Sequence, residues 1–406
     1  MTVEQKQYQV YAYRWVVLAV SMLANLTIQI LWISFAPVTG LAAHYYGVSD
    51  LQIGLFAMIF MIVFIPLSLP VSWAIDTFGF YKTVGLGVIL MGIFGVLRGL
   101  AGASYLWVLV GTLGIAVAQP FLLNSWTTIA AKWFPLDERA SAVGLITISN
   151  LIGIALGMIL TPLLMENMPL ATVQLAFGIL AAFSSLLFLI FAREEPPTPP
   201  CPEGMETRAL MLAGLKHVFT VKRFWLFLVV WFCGNGIFNG ILTWVENIVR
   251  PRGFNPEQAG VLGALFLAGG VVGAFILSSL SDKQHKRQRY LLLGLSFAIP
   301  GLIGITFASS YWLLIISALW MGFFMVSAIP VGLQYSAEIA YPTPEGTSNG
   351  VVMLFGQAAV VFVYGMEAMK SADGSFTPAL LACLALLVLN VLIATRLKDA
   401  DLQPTG

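Results

Sequence analysis

The chain has 406 residues, 59% of them hydrophobic and 10% charged, with a net charge of +1. Its mean hydropathy of +0.89 excludes an ordinary soluble domain, and nucleic acid is not an expected partner. Cys201, Cys233 and Cys383 show neither a CxxC pair nor ligand spacing, so they read as packing residues and no metal or cofactor is expected.

A helix needs roughly 20 apolar residues to cross about 30 Å of hydrocarbon. By that measure the chain reads as about twelve spans, an all-α polytopic membrane protein. Span 1 (14–39) carries Asn25, Gln29 and Trp32, spaced four and then three apart and so sharing a helical face. Its apolar run is too long for a signal-peptide core. Span 2 (51–74) leads into Asp76, Gly79 and Lys82. Spans 3 (83–102) and 4 (105–129) follow, with Arg98 expected to snorkel from the outer end of span 3. Span 4 carries Gln119, Asn124 and Pro120, which kinks a helix and frees a carbonyl. Glu138 and Arg139 precede span 5 (141–165), which holds Asn150; span 6 is 170–192. Residues 193–222 contain five prolines between 196 and 202 and read as an extended linker without helix. Span 7 (223–248) carries Asn235, Asn239 and Glu246, with Gly234, Gly236 and Gly240 marking a possible break. Spans 8 (257–280), 9 (290–308), 10 (311–337), 11 (348–369) and 12 (377–396) complete the chain. Asp282 follows span 8, Glu345 precedes span 11, and Gln357 lies within span 11.

Lipid solvates amides poorly, so these mid-span groups face either a neighbouring helix or a polar cavity. Gln119, Gln357 and Asn239 read as cavity candidates, with Asn235 beside them. Asn25, Gln29, Asn124 and Asn150 suit helix-to-helix contacts, and Trp32 fits either an interface belt or a cavity wall it shares with Gln29. Three readings of Glu246 stay open: solvated at the outer mouth, paired with Arg250, or attracting a cation. Glu338 and Glu367 at span ends are expected to face water or headgroups. With alternating spans, all but four of the twenty Lys and Arg (Arg98, Arg250, Arg252 and Lys370) fall on the side of the termini. The positive-inside rule then places both termini in the cytoplasm of a cell membrane.

The two parts of the chain echo each other. Asp76 and Asp282 are 206 positions apart, and Glu138 and Glu345 are 207 apart. This suggests an N-terminal six-helix bundle (1–192), the linker (193–222) and a C-terminal bundle (223–406). Such parallel repeats are the architecture of major facilitator transporters, with the substrate site between the halves. Asp76-Thr-Phe-Gly79-Phe-Tyr-Lys82 and Trp133-Phe-Pro-Leu-Asp-Glu138-Arg139 resemble that superfamily's two loop signatures. An acid ending span 2 can accept hydrogen bonds from the start of span 11, and Asp282 from the start of span 5. Such contacts would lock the cytoplasmic side while the outside is open; the bland alternative is solvated loop charge.

Further segments resemble the feline leukaemia virus subgroup C receptor-related transporters, linked to choline, ethanolamine and, in some members, haem. They are Tyr13-Arg-Trp-Val-Val, Ala118-Gln119-Pro-Phe-Leu-Leu-Asn and Glu338-Ile-Ala-Tyr-Pro342 through Glu345-Gly-Thr-Ser-Asn-Gly350. The resemblance implies a quaternary-ammonium site in which Trp32, Gln119 and Gln357 match. Asn239 stands where that family has a tyrosine, which removes one aromatic wall; either Phe238 or Trp244 compensates, or the substrate differs and is one that can hydrogen-bond, such as a primary amine. A monomeric alternating-access transporter of a small organic solute, a choline- or ethanolamine-like amine, is the expected function. An organic-anion antiporter or a proton-coupled symporter is the alternative. The central spans carry no mid-depth Lys or Arg, which weighs against an anion, and no mid-depth acid, which weighs against proton coupling, although Glu246 keeps that coupling open. A non-transporting receptor lacks a signalling domain here, and no catalytic constellation suggests an enzyme.

Overall fold

The computed structural model describes residues 9–200, 212–343 and 345–399. All described regular structure is helical, and twelve helices or broken helices are long and apolar enough to cross a bilayer. They are span 1 (Arg14–Tyr46), span 2 (Asp50–Phe78), span 3 (Phe80–Leu100), span 4 (Tyr105–Trp133), span 5 (Ser141–Met165) and span 6 (Leu170–Phe191). Lys222–Thr243, Pro256–Gln284, Arg287–Phe307, Tyr311–Ile339, Gly346–Ala368 and Thr377–Ala394 form spans 7 to 12. The first and last described segments lie at one face, with Tyr13 on Phe191 at the end of span 6 and Asp399 on Gln288 at the start of span 9; it is called here the terminal face, and the other is the distal face.

Four spans are interrupted. Span 1 stops at Ile33, makes a single 3-10 turn at Ala36–Val38 around Pro37, and resumes as Thr39–Tyr46. Span 4 breaks at Asn124 and Ser125, one turn after Pro120. Span 11 breaks at Ala359, and span 7 gives way at Trp244 to a short helix, Val245–Val249. The span 7 glycines do not cause its break, contrary to the expectation. They admit neighbours: a Cβ on Gly236 would lie 2.4 Å from the Phe362 ring, and one on Gly240 2.3 Å from Met366 Sδ. Discontinuous helices expose backbone carbonyls at depth, which a membrane tolerates only inside protein or beside a cavity.

The sequence repeat is physical. Span 2 opens with a capping box between Ser49 and Gln52, and span 8 with one between Asn255 and Gln258, 206 residues later. Tyr105 donates to Gln52 O at 2.9 Å, and Tyr311, again 206 residues on, donates to Gln258 O at 3.1 Å. Between the two sets of six, span 5 packs on span 8 and span 2 on span 11. Gly260 carries no side chain because Met158 O occupies the space, 2.3 Å from where a Cβ would sit.

Arg98 does not snorkel. It is 1% exposed and donates to Leu31 O at 2.9 Å and Ser34 Oγ at 3.4 Å, with its guanidinium 5.4 Å from the Phe35 ring. It therefore satisfies the C-terminal end of the first segment of span 1, where helical carbonyls lose their partners. Arg98→Leu is expected to lose the charge-assisted hydrogen bond to Leu31 O, which keeps only the longer one from Ser34 Oγ at 3.3 Å, at a cost of about 1–3 kcal/mol, measurable as a lower Tm in detergent.

In the stretch expected to be an unstructured linker, Leu212–Thr220 forms a helix, and residues 201–211, including Cys201, lie outside the described residues. Glu194, also in that stretch, caps span 3. Its carboxylate accepts from the backbone N–H groups of Phe80 (3.1 Å) and Tyr81 (2.7 Å) and pairs with Lys132. Gly79 makes room for it: φ is +89°, and a Cβ there would lie 2.6 Å from Glu194 Oε1.

Candidate functional site

In the first six spans, Trp32 is buried and its indole N–H donates to Ala57 O at 3.2 Å, which ties it to span 2 and away from an interface belt. Gln119 is buried one residue before Pro120, and its Oε1 has no hydrogen-bond partner. The same is true of Gln29 Oε1, whose Cβ packs against Gly153 of span 5. Buried amides normally have partners, so such orphans mark either a ligand position or water. The other amides divide. Asn25 is satisfied, donating to Ser21 O and accepting from Trp126 Nε1 at 2.9 Å. Asn124 joins span 4 to Ser68 and Ser72 of span 2. Both are the helix-to-helix contacts expected. Asn150, expected to behave likewise, has neither amide atom bonded and belongs with the orphans.

In the second six spans, Asn235 donates to Trp231 O at 3.2 Å and Asn239 to Asn235 O at 2.9 Å. Each amide N–H thus turns back on its own helix, and the carbonyl oxygens are what these residues offer a ligand. Gln357 is half-buried, one residue after Gly356 and two before the break at Ala359. Trp231, which the sequence reading passed over, has a buried indole N–H without an acceptor. The cue was its place one turn before Asn235 on the same face. Trp231 and Asn235 both face Gly356: a Cβ there would lie 3.0 Å from Trp231 Nε1 and 3.5 Å from Asn235 Cγ. No hydrogen bond or ring contact among the described residues joins Trp32 or Gln119 to Asn239 or Gln357.

Glu246 is elsewhere. It lies beyond the end of span 7, 2% exposed, and accepts from Gly40 N at 3.2 Å and from Arg250 at 3.3 Å. Gly40 is eight residues past Trp32, beyond the break in span 1. Glu246 is therefore part of the distal contact between the two sets of spans, and of its three open readings pairing with Arg250 is the one seen. Burial pushes its carboxyl up to about 7, against the opposing pull of Arg250 and the Gly40 N–H. Asp50 completes the cluster, accepting from Asn247 at 2.9 Å and Arg250 at 2.5 Å, with Lys370 at 3.8 Å. Lys370 also pairs with Glu367, so that acid faces a partner and not headgroups. The Trp244 ring closes on Gly54 of span 2, where a Cβ would lie 2.2 Å away, and its N–H is spent on Val363 O. Trp244 is thus a distal packing residue and does not replace the missing aromatic wall.

At the terminal face, Asp282 pairs with Arg287 of its own half and not with span 5. Arg287 also binds Glu338 at 2.9 Å, so Glu338 is not a free headgroup-facing acid. Glu138 pairs with Arg14 at 3.0 Å, while Arg139 donates to Ala131 O and Phe134 O, the last carbonyls of span 4. Asp76 and Lys82 are exposed, and the side chain of Glu345 lies outside what is described.

The sequence matches the Major Facilitator Superfamily over residues 17–364 and again over 247–401. It is 29% identical to Solute carrier family 49 member A3 of Xenopus tropicalis, over 86% of this chain and 76% of that protein. It is 27% identical to the choline/ethanolamine transporter FLVCR2 of Rattus norvegicus, over 96% and 75%. Its fold is similar to a bacterial homologue of the human lysosomal transporter Spinster, at TM-score 0.75 and 18% identity, over 95% of this chain and 97% of that one.

Proposed function

The chain belongs to the Major Facilitator Superfamily, and on that premise we propose that it carries a small amino alcohol, of the choline and ethanolamine type, across a cell membrane by alternating access. The observation that carries this reading is the set of buried, unpartnered amides in the interrupted spans, Gln29 and Gln119 among them, with the buried Trp32 three residues after Gln29. Oriented amides can hold the hydroxyl of such a solute, and an aromatic face can hold its cationic end. The relation to FLVCR2 supports the substrate class. Residues 1–192 and 223–406 act as two rocking bundles joined by 193–222, and the protein works as a monomer with both termini in the cytoplasm.

Polar contacts join the two bundles at the distal end, Gly40 with Glu246 and Asp50 with Asn247, Arg250 and Lys370. That supports a state closed to the outside. The intra-half pairing of Asp282 suits this state, because its lock with span 5 belongs to the opposite one. Counterflow of labelled choline in proteoliposomes tests the function. Accumulation that unlabelled ethanolamine blocks and small dicarboxylates do not is expected; block by dicarboxylates alone would replace the amine with an organic anion.

A further inference from the structure

We propose that the corner where the helix Leu212–Thr220 meets span 7 binds the headgroup of an anionic phospholipid in the leaflet at the terminal face. Lys216, Lys222 and Arg223 hold the phosphate, and the rings of Phe219 and Trp225 lie against the lipid. The site is independent of which solute is carried.

The helix Leu212–Thr220 has two sides. Gly214 and Val218, four apart, are buried against the protein, while Lys216 and Phe219, three apart, are exposed. One residue, Val221, joins it to span 7, which opens with the exposed Lys222 and Arg223. Trp225 fixes the corner. Its indole N–H donates to Phe219 O at 2.9 Å, and its ring lies 5.4 Å from the Phe219 ring. On its other side it meets the Phe355 ring of span 11 at 6.0 Å. Thr343, after span 10, donates to Gly214 O at 3.3 Å and ties down the rest of the helix. Each of the two touching rings thus has a lysine three residues before it, Lys216 for Phe219 and Lys222 for Trp225. Phe219 is 38% exposed and Trp225 44%.

Several terminal-face cations are spent inside the protein. Arg14 pairs with Glu138, Lys132 with Glu194, and Arg287 with Asp282 and Glu338. Among the described residues, Lys216, Lys222 and Arg223 have no acidic partner, and the first turn of span 7 holds no acid. Lys283, Lys286 and Arg289 are also exposed on this face. They stand beside the exposed Asp282, however, and the aromatic nearest them in the chain, Tyr290, is buried. Tryptophan gathers at the level of the headgroups, and each Lys or Arg near an anionic bilayer surface adds about fivefold in affinity. Exposed rings beside unbalanced cations therefore favour a phosphate that carries acyl chains. A free phosphate ion would gain nothing from the rings.

Native mass spectrometry of the full chain in detergent tests this, with phosphatidylglycerol and phosphatidylcholine of the same acyl chains as probes. Wild type is expected to retain one phosphatidylglycerol about tenfold or more in preference to phosphatidylcholine. Lys216→Gln, Lys222→Gln and Arg223→Gln together should remove that preference. The charge-conserving set Lys216→Arg, Lys222→Arg and Arg223→Lys should keep it. Lys283→Gln, Lys286→Gln and Arg289→Gln remove as many charges from the same face and should change it by less than about twofold. An equal loss in that control overturns the proposal, because any cation on the face would then serve. No preference in wild type overturns it too. So does glycerol 1-phosphate competing as well as intact phosphatidylglycerol, since the ligand would then be a soluble phosphate. If the first glutamine set lowers the Tm, the single Lys216→Gln carries the test, with a loss of about fivefold expected and an unchanged preference overturning the role of Lys216. Retention is read without transport, so its failure leaves the transport reading in place.

Discussion

Alanine at both Gln119 and Gln357 is expected to abolish saturable uptake while the protein still reaches the membrane. Gln119 Oε1 is buried without a partner one residue before a proline, and Gln357 is half-buried beside the break in span 11. Each amide loses about one hydrogen bond to the solute on truncation, on the order of 1 kcal/mol or more where the ligand group is left desolvated. A factor of ten follows from about 1.4 kcal/mol, so the pair is expected to lower transport efficiency on the order of 100-fold. Neither side chain is needed for folding on this argument, since Gln119 Oε1 bonds to nothing that alanine would leave exposed. Unchanged initial rates in the double variant, at matched protein per liposome, would remove both residues from the site. Single variants that each lose the full effect would show that the solute must bridge them.

The twelve spans were readable because each is a long apolar run, and the repeat because Asp76 and Asp282 keep one offset. What escaped were features that depend on which residues meet. Arg98 reads as a cation near a span end, yet the break in span 1 offers it Leu31 O and Ser34 Oγ inside the bundle. Glu338 reads as an acid at a span end, and folding brings it Arg287, 51 residues away; Glu246 and Glu367 have cations within four residues, Arg250 and Lys370, and what escaped there was their place against Gly40 and Asp50 of the first six spans. Glu194 lies in a proline-rich stretch that suggests no structure, but its carboxylate finds the free N–H groups of span 3 across Gly79. Among the site candidates, residue type marked Gln119 and Gln357. Trp231 is chemically ordinary in a membrane helix, and only the absence of an acceptor for its N–H sets it apart.

The second large effect concerns the distal cluster. Asp50→Asn is expected to shift the protein toward a distally open state, because the neutral amide cannot balance Arg250, which is 2.5 Å away, or Lys370 at 3.8 Å. Removing the acid from such a charge cluster is worth roughly 1–3 kcal/mol, about a tenfold change in the ratio of states. Spin labels on cysteines at His44 and Ala372, exposed distal positions on opposite bundles, in a chain lacking Cys201, Cys233 and Cys383, report the opening as a longer distance. Acidity acts on the same contact through Glu246, which faces Arg250 directly, with Asp50 beyond it. Its carboxyl sits at about 7 when buried in the closed state and returns toward the ordinary 4.5 when opening hydrates it. An acid with a raised value binds its proton more tightly in the closed state. Closure is therefore penalised above about pH 7, and the penalty is relieved as pH falls through 7. Acidification from about pH 8 to about pH 6 should shorten the mean distance in wild type, and Glu246→Gln should be short at both. A wild-type distance that lengthens on acidification would reverse the sign and make ionised Glu246, paired with Arg250, the element that holds the distal end shut.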